Sequence, residues 1–136
     1  MNRTILLAYQ LLAGASDTTT GALLLIAPAL TLHLMRLHAP DAAMVYLSFV
    51  GSFVFAVGLA HLYGAYLVAC KGCQRRLEMV WLLTAFTCTS VAVFVILQVF
   101  SSTLEAGWLT VAFTDGTMVL LQAIGLRKGW LASVAN

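Results

Sequence analysis

Gly14-Ala15-Ser16-Asp17-Thr18-Thr19-Thr20-Gly21 decides how this chain is read, because apolar runs at residues 5–12 and 22–34 flank it. A carboxylate and three threonines inside such a segment are costly unless they face protein or water. The segment therefore needs neighbours to shelter it. The rest of the chain offers three more long apolar stretches that can do so.

Working outward, the composition sets the solvent. Of 136 residues, 62% are hydrophobic and only 9% are charged. Soluble domains carry about 25% charged residues, so this chain has too little charge to coat a water-facing surface. A mean hydropathy of +0.98 points the same way. The net charge of +2 is divided among short loops and forms no basic stripe, so nucleic acid is not an expected partner. A lipid bilayer is.

Four segments are expected to be helical, at residues 4–32, 42–70, 77–100 and 107–126. Each reaches the roughly 20 residues needed to cross a hydrocarbon core. The runs are long and do not alternate, which favours helices over barrel strands. Short links at residues 38–41, 71–76 and 101–106 make successive helices antiparallel neighbours. The expected fold is thus all-α: one domain over residues 1–136, an up-down bundle of four transmembrane helices. Arg3 and the apolar run after it also imitate a signal peptide ending at Ala13-Gly14-Ala15. The reading adopted keeps this stretch as the first helix, unbroken through Ser16–Thr20, with Pro28 kinking its far end.

Orientation follows from the basic residues. Arg3, Lys71, Arg75, Arg76, Arg127 and Lys128 fall on one side of a four-crossing chain, and Arg36 alone on the other. The positive-inside bias places both termini in the cytoplasm, and a bacterial inner membrane is the expected location. Tyr9, Tyr46, Trp81, Trp108 and Trp130 lie near segment ends, where an aromatic belt would hold them.

The polar residues suggest a site. At about 1.5 Å per residue, Asp17, His61, Thr87 and Asp115 each lie about 15–21 Å from the basic end of their helix. One polar layer near mid-membrane is the expectation. The helical stripes agree: Gln10, Gly14, Asp17 and Gly21; Gly51, Gly58, His61 and Ala65; Thr84, Thr87, Val91 and Gln98; Trp108, Ala112, Asp115, Met118 and Gln122. Small residues beside polar ones are what tight membrane packing uses. Asp17, His61, Thr87, Asp115 and Gln122 are therefore the candidate ligand- or proton-binding residues. Two carboxyls at one depth would share a proton. The plainer alternative is that these groups only pin the helix register through hydrogen bonds worth roughly 0.6 kcal/mol each.

Other chemistry finds little support. Cys70-Lys71-Gly72-Cys73 is a CxxC, but zinc would need two further ligands, and a cytoplasmic dithiol stays reduced. His61 has no histidine at its depth to share a haem with. GxSxG, HExxH and Walker-type motifs are missing. No cofactor, metal or catalytic residue is expected.

The chain resembles the small four-helix membrane proteins called DoxX-like. The resemblance is carried by the Gly-rich second segment, Tyr46-Leu47-Ser48-Phe49-Val50-Gly51 through Gly58-Leu59-Ala60-His61-Leu62-Tyr63-Gly64. Arg75-Arg76, Asp115 and Leu126-Arg127-Lys128-Gly129-Trp130-Leu131 add to it. It implies a four-helix membrane fold and, since some members look like membrane partners of redox enzymes, an accessory role. No catalytic residue carries over. The expected function is a non-catalytic membrane subunit or small-molecule-binding bundle, beside a larger membrane-protein partner or as a homo-oligomer. Alternatives are a small proton- or cation-coupled transporter using Asp17 and Asp115, and an enzyme acting on a lipid, sterol or quinone.

Overall fold

The structure, a computed structural model, describes residues 2–134. Met1, Ala135 and Asn136, counted in the expected single domain, lie outside the described residues. Those described form an all-helical chain: α1 (Arg3–Ile26), α2 (Pro28–Met35), α3 (Met44–Ala69), α4 (Gln74–Phe100) and α5 (Leu109–Arg127). Short 3-10 turns at Asp41–Ala43 and Ala106–Trp108 lead into α3 and α5, and a third, Trp130–Val134, follows α5.

Helix α1 runs unbroken through Ser16–Thr20, as the sequence suggests. The first segment does not reach residue 32 as one helix, however. Ala27 leaves the helical region (φ −144°, ψ 65°) and Pro28 restarts the chain as the first residue of α2. Proline pushes the preceding residue out of the α region and has no N–H to give. The Thr31 hydroxyl donates to the Ala27 carbonyl at 2.9 Å and holds the break in place.

Among the described residues, three stretches are long and apolar enough to cross a bilayer: Asp41–Ala69, Gln74–Phe100 and Ala106–Arg127. Helix α1 has the length, at 24 residues, but its polar centre dilutes its apolar character. Large apolar side chains face outward on every long helix, with Ile26 and Phe100 both 84% exposed. Such a surface is compatible with lipid contact and costly in water.

The closest packing is antiparallel, α1 against α3. Gly14 meets Leu62, Thr18 meets Gly58, Gly21 meets Phe55, and Leu24 and Leu25 meet Gly51. Contact falls every three or four residues with a glycine on one side or the other, so the backbones approach closely. Helix α5 packs mainly on α4, and α3 joins the two pairs through α4.

One end of the molecule is sealed by a core of Leu6, Leu67, Val68, Leu77, Trp81 and Leu131. It gathers the start of α1, the end of α3, the start of α4 and the turn after α5. Arg3 fixes this end: its Nε and one terminal NH donate to the Val68 and Ala69 carbonyls at 3.0 and 2.7 Å. A cation there also meets the negative end of the α3 dipole. At the opposite end, Leu37 packs near Gly107, and His38 Nδ1 lies 3.5 Å from Glu105 Oε2.

Two aromatic expectations need correction. Trp81 is 1% exposed, not at a lipid belt. Its ring fills the space that Gly125 leaves open on α5 and meets Tyr9 edge-on at a centroid distance of 5.6 Å. Tyr9 likewise turns inward, toward Trp81 and His61.

Candidate functional site

The buried stripes of α1, α3, α4 and α5 bring polar side chains together in two layers. The layer nearer the basic end holds Tyr9, Gln10, His61, Trp81, Thr84 and Gln122. His61 Nδ1–H donates to Gln10 Oε1 at 2.8 Å, across the α1–α3 contact. Gln122 Nε2 donates to Thr84 Oγ1 at 2.8 Å, across the α4–α5 contact. Gln10, His61 and Gln122 are completely buried. Tyr9 stands between the two pairs, 6.1 Å from the His61 ring by centroid, with its hydroxyl beside Gln122.

Five of these six side chains, all but Thr84, carry one polar atom without a hydrogen-bond partner at close range. They are Tyr9 Oη, Gln10 Nε2, His61 Nε2, Trp81 Nε1 and Gln122 Oε1. The Tyr9 hydroxyl lies close enough to Gln122 to interact with it, while Gln10 Nε2, His61 Nε2 and Trp81 Nε1 meet no protein group. An unmet buried polar group costs about 1–3 kcal/mol, and native interiors hold few of them. Here several sit around one tyrosine. With Nδ1 donating, His61 Nε2 is an acceptor, as is Gln122 Oε1. Gln10 Nε2 and Trp81 Nε1 are donors, and the Tyr9 hydroxyl is both. The set suits a small molecule that both donates and accepts.

The second layer holds Asp17, Thr18, Cys88 and Asp115. Asp17 is seven residues beyond Gln10 on α1, and Asp115 is seven before Gln122 on α5, about 10 Å further into the molecule. Both aspartates are half-buried. The Asp17 carboxylate acts electrostatically on Asp115, and the Cys88 thiol lies beside the Asp115 carboxyl. Thr18 Oγ1 is buried without a partner, against Gly58.

Of the expected layer of Asp17, His61, Thr87 and Asp115, the structure brings Asp17 and Asp115 within electrostatic reach and bonds His61 to Gln10, nearer the basic end of α1. Thr87 is off the buried face of α4, only half-buried where Thr84 is fully buried, and its hydroxyl donates to the Leu83 carbonyl of its own helix at 3.0 Å. The buried stripe of α4 is Leu77, Trp81, Thr84, Cys88, Ala92 and Val95, one residue round the helix from Thr87. Sequence reasoning missed Tyr9 and Trp81 by assigning them to a belt. It placed Gln10 and Thr84 on polar stripes without reading them as site residues. The usable signal was spacing: Trp81, Thr84 and Cys88 recur at three and four residues, as a buried face does.

An open groove of about 390 Å³ lies elsewhere, at the α2 end, lined by His33, Arg36 and His38 over Leu32, Leu37 and Met44. It does not reach the aspartates. Among the described residues no group of three or more His, Cys, Asp or Glu could hold a metal ion. No family model, curated protein or solved structure matches the chain.

Proposed function

We propose that this chain is an integral membrane protein of the bacterial inner membrane that binds a small polar or amphiphilic molecule between its helix pairs. It crosses the bilayer four times, α1 being the fourth span, with both termini cytoplasmic. It is non-catalytic, serving as an accessory subunit beside a larger membrane partner, in keeping with its DoxX-like resemblance. The supporting observation is the group of buried donors and acceptors on four helices, near Tyr9, that lack a full set of protein partners. The His61–Gln10 and Gln122–Thr84 bonds serve helix register, and the polar atoms left over beside them are what a ligand would meet.

The test is extraction of the purified wild-type protein in nanodiscs, with mass spectrometry of what co-purifies. A stoichiometric small molecule is expected, lost in Gln122→Leu and His61→Leu while helicity persists. An empty wild type, together with a Gln10→Leu/His61→Leu double variant more stable than wild type, would mean that the polar groups serve no ligand.

A second reading rests on the neighbouring Asp17 and Asp115 carboxyls: a proton- or cation-coupled transporter. Uptake by proteoliposomes that collapses in Asp17→Asn or Asp115→Asn would favour transport over simple binding.

A further inference from the structure

Cys70 and Cys73 bracket the turn between α3 and α4, and both thiols are free and exposed. The turn is rigidly specified. The Lys71 N–H donates to the Val68 carbonyl and the Gly72 N–H to the Leu67 carbonyl, at 3.4 and 2.7 Å. Lys71 takes the left-handed conformation (φ 50°). This is a helix-ending bond pair that makes Cys70 the C-cap of α3, with Lys71 and Gly72 just beyond it. Cys73 then opens α4, a helix of 27 residues.

The two thiols are chemically unequal. Cys73 is the N-cap residue of α4, and the first-turn amides and guanidinium charges of Arg76 and Arg75 hold its thiol below the ordinary range. A helix N-terminus with adjacent cations favours thiolate in this way. Cys70 sits at the carbonyl end of α3, where the partial charge is negative. A better nucleophile and a second thiol thus stand three residues apart on an exposed turn rich in positive charge.

We propose that Cys70 and Cys73 form a redox dithiol that reduces a small anionic disulfide, with Cys73 attacking and Cys70 resolving. The Cys73 thiolate attacks one sulfur of R–S–S–R. A Cys73–S–S–R bond forms, the substrate S–S bond breaks, and RS⁻ leaves with the electron pair to take a proton from water. Cys70 gives its proton to solvent and attacks the Cys73 sulfur. The internal disulfide forms and the second RS⁻ leaves. Two electrons pass from the protein to the substrate, which ends as two thiols. Lys71, Arg75 and Arg76 favour a negatively charged substrate by raising its local concentration. This activity is independent of what the interior binds, so either reading survives failure of the other.

The test uses the full reduced chain in nanodiscs with oxidised glutathione as the probe, read by peptide mass spectrometry. Wild type should form the Cys70–Cys73 disulfide and release two reduced glutathiones per chain. Cys70→Ser should stop at one glutathione adduct on Cys73. Cys73→Ser should react at least about tenfold more slowly at pH 7. Iodoacetamide should label Cys73 ahead of Cys70 as the pH is lowered from 8 to 6. Equal rates in the two single variants, a wild type that collects adducts without closing the internal bond, or matching alkylation profiles would each overturn the proposal.

Discussion

His61 and Gln10 show how a single residue's environment is set by its partner. Histidine in an apolar interior needs a hydrogen bond, and Gln10 Oε1 supplies one at 2.8 Å. That bond fixes which ring nitrogen carries the proton and leaves Nε2 as a bare acceptor. Arg3 is a residue-scale clamp of another kind, tying the start of α1 to the last carbonyls of α3. Replacing it by glutamine removes a charged donor from a helix end. Arg3→Gln is expected to cost about 1 kcal/mol, read as a lowered thermal midpoint in nanodiscs with unchanged helicity. An unchanged midpoint would show that the clamp contributes nothing. At this scale the sequence was informative about Asp17, His61, Asp115 and Gln122, since polar residues in apolar helices stand out. It was uninformative about Tyr9 and Trp81, because an aromatic near a helix end suits a lipid interface and a buried cluster equally well.

Among the elements, the α1–α3 contact depends on glycine. A β-carbon on Gly58 would overlap the Thr18 hydroxyl and backbone, whereas one on Gly116 would meet nothing within 4 Å. Gly58→Ala is therefore expected to destabilise by about 1–3 kcal/mol through overpacking. Gly116→Ala should stabilise α5 by up to about 1 kcal/mol through helix propensity. The two signs should be opposite in the same thermal-unfolding assay, and a stabilising Gly58→Ala would refute the close approach. The stripes of α1 and α3 were legible in advance, because glycines at helical spacing mark one face. The break at Ala27 was legible as a kink at Pro28, but not as two helices. The face of α4 was misread by one residue because threonine hydroxyls bond their own helix on the buried face and off it, as Thr84 and Thr87 do, so a threonine does not mark the inner side.

For the whole molecule, the consequence of alternating helices is one strongly basic end, with Arg3, Lys71 and the Arg75-Arg76 pair close to the Leu6–Leu77–Trp81 core. If that end is cytoplasmic, a membrane-impermeant maleimide should label Cys70 and Cys73 in inverted vesicles and leave them unlabelled in intact spheroplasts. The reverse pattern would invert the proposed orientation. The sequence by itself determined the helical class, the approximate positions of the long helices and the clustering of positive charge, because each follows from composition and from period along one helix. Only the tertiary structure decided that His61 pairs with Gln10 and Gln122 with Thr84, that Trp81 and Tyr9 turn inward, and that Thr87 stands apart. Those outcomes depend on rotation and axial offset between helices. Both are fixed by which glycine meets which side chain across the contact, and no periodicity within a single segment contains that information.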